Sequence, residues 1–292
     1  MDQASQLRNI IKKNQQPPTA KVITVTSGKG GVGKSSISVN LAIQLQKLGN
    51  RVVIMDADFG LANIEVMLGI RPKYNLADLI FKGKRMNEII TPGPEGIGFI
   101  SGGSGIQELT RLTNDQIMGL NQSLCLLDEI ADIIIIDTGA GIGDSVMEFA
   151  CTGDETILVV TPEPTSITDA YAVLKALDKR MMGKPGDYTI KMLANRVGSL
   201  AEGRELYEKL SVVVNKFLKI KVEFLGAVPQ DNLLSKAVLK QSPVSISFPK
   251  AASSQSLFEI ASMIGNNKIK EQKTPNGIRL LFYNLIQSKM GR

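Results

Sequence analysis

Strand-like and helix-like patterns alternate along most of this chain. Near-continuous apolar and β-branched runs lie at 21–26 (KVITVT), 51–56 (RVVIMD), 97–100, 132–137 (DIIIID), 155–161 (ETILVVT), 188–194 (YTIKMLA) and 222–228. Runs of this length suit strands covered on both faces. Between them, apolar residues recur at helical spacing over 36–45, where Gly49 supplies the stop, over 165–181, and in a stretch ending near 264–265. This rhythm predicts an α/β fold, a mostly parallel doubly wound sheet with helices on both faces. Residues 71–130 carry turn signals (Arg71-Pro72, Pro92-Gly93-Pro94, Gly102-Gly103) between short helical stretches and hold no readable chemistry.

Both ends depart from the rhythm. In residues 1–20, Ala4, Leu7 and Ile11 share one helical face before Pro17-Pro18 breaks the pattern. This reads either as an arm that folds on a partner or as a disordered tail. After a polar, basic connector, residues 277–290 form an amphipathic pattern with Ile278, Leu281, Phe282, Leu285 and Ile286 on one stripe. Such a stripe with a basic polar face suits an anionic membrane surface, and equally a last helix docked on the core. The expected organisation is an arm (1–20), a body (21–265), and a basic linker with a terminal helix (266–292).

Composition narrows the chemistry. The formal charge is +6, from 34 basic and 28 acidic residues. From 266 to 292 six basic residues stand against the single acid Glu271, so much of that excess lies in the tail. With no histidine in the chain, imidazole acid–base catalysis and Ser-His-Asp triads are excluded. Cys125 and Cys151 lie far apart and outside any C-x-x-C pattern, which reads as buried apolar packing in a reducing, cytosolic setting. No run of 18 apolar residues predicts a membrane span.

The chemistry-bearing stretch is Gly28-Lys29-Gly30-Gly31-Val32-Gly33-Lys34-Ser35. It matches G-x-x-x-x-G-K-[ST], between a predicted strand and a predicted helix, as a phosphate-cradling loop requires. Loop N–H groups and the helix N-terminus, with Ser36 in its first turn, would wrap phosphates; Lys34 would neutralise them, and the Ser35 hydroxyl would hold magnesium. Asp56 and Asp58 lie at the C-terminal end of the second strand, where doubly wound sheets place ligands. Asp137 ends a buried apolar strand, the Walker B arrangement, and would bind magnesium through water. Thr138-Gly139-Ala140-Gly141 would follow as a mobile loop.

The early lysine, Lys29, is redundant for a phosphate site inside one chain, unless it is simply solvated. K-G-G-x-G-K-[ST] resembles the deviant Walker A loop of the MinD/ParA ATPases. That resemblance implies ATP and ADP as ligands, Mg2+ as cofactor, and an ATP-sandwiched homodimer in which Lys29 reaches the partner's phosphates. It makes Asp58 the water-positioning residue and Asp56 its helper. It also makes Asn195 and Arg196 the adenine-recognising pair, with Pro229 and Asp231 in the loop closing the base pocket. Gly139 stands where the family usually has proline, which should loosen that loop, and Ala62 stands where the cell-division members have arginine.

The opening segment, with Asp2, Gln3, Ala4, Leu7 and Arg8, is similar to the D-Q-A-x-x-L-R activator motif of the family's flagellar-number ATPases. There it implies stimulation of the signal-recognition-type GTPase FlhF, and the family further implies flagellar C-ring proteins (FliM, FliN or FliY) as partners. The same resemblance makes the terminal stripe a membrane-targeting helix, giving a protein reversibly peripheral at the inner face of the cell membrane, with no nucleic acid expected. Rival members are a DNA-partition ATPase, which would need a basic dimer face for phosphates, a cell-division MinD, and a nitrogenase-type iron–sulfur reductase. The last is disfavoured because Cys125 falls on a predicted helix before the Walker B strand.

Overall fold

The computed structural model describes residues 19–58, 63–103, 113–182, 188–266, 277–279, 282–283 and 286. Eight strands form one sheet: β1 (Lys21–Ser27), β2 (Val52–Ala57), β3 (Thr91–Pro92), β4 (Gly98–Ser101), β5 (Ile133–Ala140), β6 (Glu155–Val160), β7 (Thr189–Val197) and β8 (Lys221–Pro229). Their order is β3-β4-β2-β5-β1-β6-β7-β8, and every pairing is parallel except β3 with β4. The reversal of order beside β1 opens a crevice at the carboxyl ends of the strands, where ligands bind in such sheets.

The helices are α1 (Lys34–Lys47), α2 (Asn63–Leu68), α3 (Leu76–Phe81), α4 (Met86–Ile89), α5 (Asn114–Ile130), α6 (Asp144–Thr152), α7 (Pro164–Met181), α8 (Leu200–Phe217), α9 (Asn232–Leu239), α10 (Val244–Ser247) and α11 (Ala252–Asn266). Successive strand side chains point to opposite faces. In β5, Ile133 and Ile135 join α1, α2 and α11 in one core layer, while Ile134 and Ile136 join α3, α4 and α5 in the other. A third cluster packs α6, α7 and α8 on β6–β8. Both faces of the sheet are therefore covered, which is why its strands read as unbroken apolar runs.

Three expectations change. The arm does not extend to residue 20: Ala20 is buried, and its N–H donates to Asp128 Oδ1 at 3.0 Å. Residues 138–140 are not a loop: Thr138 pairs with Ala57 and Ala140 with Ser27 as β5 continues. Nor is the terminal stripe open to the outside. Ile278, Phe282 and Ile286 are 0%, 0% and 1% exposed and join the core that holds Leu120, Leu124 and Leu127 of α5. Phe282 meets Phe149 of α6 edge-on at 6.3 Å, and Arg279 lies 3.6 Å from Asp128. An apolar groove this deep takes the stripe for the same reason a membrane would, since either removes it from water. Leu281, Leu285 and the arm residues Asp2, Gln3, Ala4, Leu7 and Arg8 lie outside the described residues.

Candidate nucleotide site

The loop from Gly28 to Gly33 turns β1 into α1 with Gly31 and Gly33 in left-handed conformation, φ 78° and 91°. Only glycine enters that region without strain. At Gly28 the constraint is approach rather than φ: a Cβ there would lie 2.3 Å from the Asp169 backbone. Helix α7 thus rests directly on the loop. Lys34, Ser35 and Ser36 open α1 and are buried, so the N–H groups of this helix end face the hollow of the loop.

Under the loop the strands bring the acids together. Asp56 of β2 and Asp137 of β5 are register partners. Asp137 is fully buried; its Oδ1 accepts from the Ser38 hydroxyl at 2.8 Å and lies 3.6 Å from Lys34 Nζ. Its Oδ2 is buried and has no hydrogen-bond partner among the described residues. Such an orphaned atom calls for a missing donor, and a magnesium-bound water beside the Ser35 hydroxyl suits it, so these residues fit the ion. Burial pushes the Asp137 carboxyl up, opposed mainly by Lys34. Asp56 Oδ1 accepts from the Asp58 N–H at 2.9 Å. Burial raises the Asp56 pKa to about 7 despite that bond, with the charges of Asp137 and Asp58 adding to the rise. The Asp58 carboxylate stands beside the switch strand: a Cβ on Gly139 would meet Asp58 Oδ1 at 3.5 Å.

Lys29 does not fold back on its own loop. Its ammonium donates to Glu163 Oε2 at 2.8 Å and to Thr165 Oγ1 at 3.0 Å, at the start of α7. The Glu163 carboxyl is held below its usual range by Lys29. Sequence reasoning missed Glu163 and Thr165. The available signal was their position just after the C-terminal end of β6, flanking Pro164 at the first helical position.

Beside the loop is a cleft of about 420 Å³ lined by Gly33, Ser36, Asn195, Arg196, Pro229 and Asp231 among others. Asn195 is buried, and its Nδ2 donates to the Val32 carbonyl at 2.7 Å. That bond fixes the amide and leaves Oδ1 as the group to accept from a ligand. Arg196 has φ 58° at a register shift in β7, an uncommon conformation for arginine. The Asp231 carboxylate is turned away from ligand chemistry: burial raises its pKa, but the Ser253 and Leu233 N–H groups and the Ser253 hydroxyl hold it below the usual range. Asp231 shapes the pocket wall by capping α9. Met67, Leu234, Val238 and Leu239 supply its apolar side, again from segments where sequence patterns carried no chemical signal.

Comparisons with known proteins agree with this geometry. The ParA family model, described as NUBPL iron-transfer P-loop NTPase, matches residues 19–265. The chain is 42% identical over 244 residues to the antiactivator FleN of Pseudomonas aeruginosa, covering 84% of this chain and 86% of that one. It is 35% identical over 274 residues to the flagellum site-determining protein YlxH of Helicobacter pylori, covering 90% of each. Among solved structures, a chain of the MinC:MinD cell division protein complex of Aquifex aeolicus aligns with a TM-score of 0.66 and 25% identity, covering 87% of this chain and 99% of that chain. As for iron, Cys125 is half-buried on α5 and Cys151 buried on α6, so neither stands in the nucleotide loop.

Proposed function

The chain belongs to the ParA/MinD family of P-loop NTPases, and on that footing we propose that it is a flagellar-number regulator of the FlhG (YlxH, FleN) kind. It hydrolyses ATP to ADP and phosphate, pairs face to face when ATP is bound, and visits the membrane in that state. Its two most informative relatives carry the flagellar part of the reading: one is named an antiactivator and the other a flagellum site-determining protein. Stimulation of FlhF through the arm and contact with C-ring proteins extend the same reading. No helix among the described residues is long and apolar enough to cross a membrane.

The observation that carries the mechanism is the direction of Lys29. Lys34 already serves the loop from within, while Lys29 is directed out along α7. On pairing, it exchanges Glu163 and Thr165 for the partner's phosphates and stabilises charge on the transferring phosphoryl group, as an arginine finger does in other NTPases. Asp58, held beside Asp56 and Gly139, orients the attacking water. Ser35 and Asp137 would hold magnesium, which neutralises phosphate charge when bound. Asn195 Oδ1 accepts from an exocyclic amine and opposes a carbonyl at the same place, so adenine is taken over guanine.

The test is light scattering on size-exclusion eluates. Asp58→Ala should form a stable dimer with ATP and Mg2+ and a monomer with ADP, and only the dimer should pellet with anionic liposomes. Equal monomer fractions in both nucleotides would reject the pairing. Removing residues 1–18 should spare ATPase activity and end GTPase stimulation.

A further inference from the structure

The face that buries the terminal helix carries a second feature. Between α3 and α4 the chain makes a tight turn, Phe81-Lys82-Gly83-Lys84-Arg85, in which Gly83 takes φ 65°. Phe81 is 37% exposed although it is a large aromatic at a helix end. Lys82 and Arg85 are exposed beside it, and Arg71 and Lys73 are exposed on the approach to α3. The Lys84 and Lys73 ammonium nitrogens lie 4.1 and 5.2 Å from the centre of the Tyr74 ring, a cation–π arrangement.

Residues 71–90 contain five basic residues and two acids, Asp78 and Glu88. Both acids are committed locally. Asp78 accepts from the Asn75 N–H at 2.9 Å and pairs with Lys82 at 2.8 Å. Glu88 accepts from the Arg85 N–H at 2.9 Å and pairs with Lys84 at 3.0 Å. The Lys84–Glu88 pair is open to water and weak, and the Lys82 side chain is 72% exposed although its partner Asp78 is buried. The segment keeps three basic residues in excess of its acids, Lys82 directly follows the exposed Phe81, and Arg85 closes the same turn.

Helices α3 and α4 pack on α5 and share one core with Ile278, Phe282 and Ile286. The outer side of α5 adds Met118, Leu126 and Ile130, 61%, 43% and 37% exposed. An exposed aromatic flanked by lysine and arginine suits the headgroup layer of an anionic bilayer, where the ring sits at the interface and the cations meet lipid phosphates. A duplex phosphate backbone would pair with the cations but leave the exposed apolar residues in water.

We propose that the Phe81–Arg85 turn is a second membrane contact, preformed in the body and specific for anionic phospholipid headgroups. The terminal helix must leave its groove before it can enter a bilayer, whereas this turn is already outside. It therefore reads surface charge first and holds the α5 face toward lipid while the helix is released. The inference rests on the membrane reading above.

The chain contains no tryptophan, so F81W places a unique fluorescent reporter in the turn. The full-length F81W protein is mixed with ATP, Mg2+ and vesicles of phosphatidylglycerol and phosphatidylcholine, or of phosphatidylcholine alone. On the anionic vesicles its emission should shift to the blue and be quenched by brominated lipid. Replacing Lys82 and Arg85 by glutamine should weaken binding to anionic vesicles by more than tenfold, at about fivefold per cation, and leave ATPase activity unchanged. Vesicle pelleting with an indole that stays water-exposed would overturn the turn contact while the terminal helix stood as anchor. No pelleting by the wild-type protein would overturn both readings. A spectral shift of equal size with free glycerophosphate, or with duplex DNA, would assign the turn to that ligand instead.

Discussion

Asp56 sits in an environment that conflicts with its ionised form. Its pKa near 7 comes first from burial, with the neighbouring acids adding to it. In an unfolded chain the group ionises near 4. Between those values the folded protein keeps a proton that the unfolded chain has lost, so stability falls as pH rises through that window. The fall from this group is at most about 4 kcal/mol. Urea unfolding of the nucleotide-free protein should therefore show lower stability at pH 8 than at pH 5. Asp56→Asn should flatten that slope in part, because burial pushes the Asp137 carboxyl the same way and its share remains. A slope unchanged by the substitution would locate the titration elsewhere.

Glu163 is the second residue with a measurable consequence. Its bond to Lys29 is between side chains 53% and 39% exposed, and pairs that open to water contribute between 0 and about 1 kcal/mol. Glu163→Gln removes the charge that Lys29 would leave on the proposed pairing. In an Asp58→Ala background the ATP concentration for half-maximal dimer should fall, by no more than about fivefold. A rise instead would mean that Glu163 contributes more to the closed pair than to the open chain.

At the scale of elements, legibility followed burial. The strands covered on both faces announced themselves as apolar runs, and the observed ends differ by a few residues at most. The run at 132–137 became β5 but continued to Ala140, because Thr138, Gly139 and Ala140 satisfy a parallel ladder without being apolar. Strand β3 is two residues long and contains Pro92, so it offered neither periodicity nor length. Helices α2, α3, α4 and α10 run four to six residues, too few for a moment to emerge. Their signals were local instead: Asn75 and Asp78 form a reciprocal capping box that residue types and spacing could have suggested. The phosphate loop, Asp56, Asp58 and Asp137 were readable because strand ends fix where acids converge. The apolar wall of the base cleft was not, since Met67, Leu234, Val238 and Leu239 meet only through folding.

At the scale of the whole molecule, the proposed membrane reading gives the terminal helix two competing resting places, and on that reading the competition would set when the protein reaches a membrane. Its stripe was legible, but amphipathicity alone does not choose between lipid and groove. In the structure the groove wins: Ile278, Phe282 and Ile286 each bury a large apolar side chain against α5 and α6, at about 1.5–3 kcal/mol apiece before ordering costs. A bilayer offers a similar transfer energy, so one copy gains little by moving. The proposed ATP dimer would present two copies to one surface, and avidity of order a hundredfold or more would tip the balance without any new contact. Weakening the groove should do the same from the other side. Leu124→Ala leaves the helix sequence untouched and removes a fully buried groove residue, costing about 2–5 kcal/mol of packing. The variant should melt at a lower temperature and yet pellet with anionic vesicles in ADP, where the wild-type protein stays in the supernatant. If it melts lower but still requires ATP to pellet, docking of the helix is structural and some other step gates the membrane.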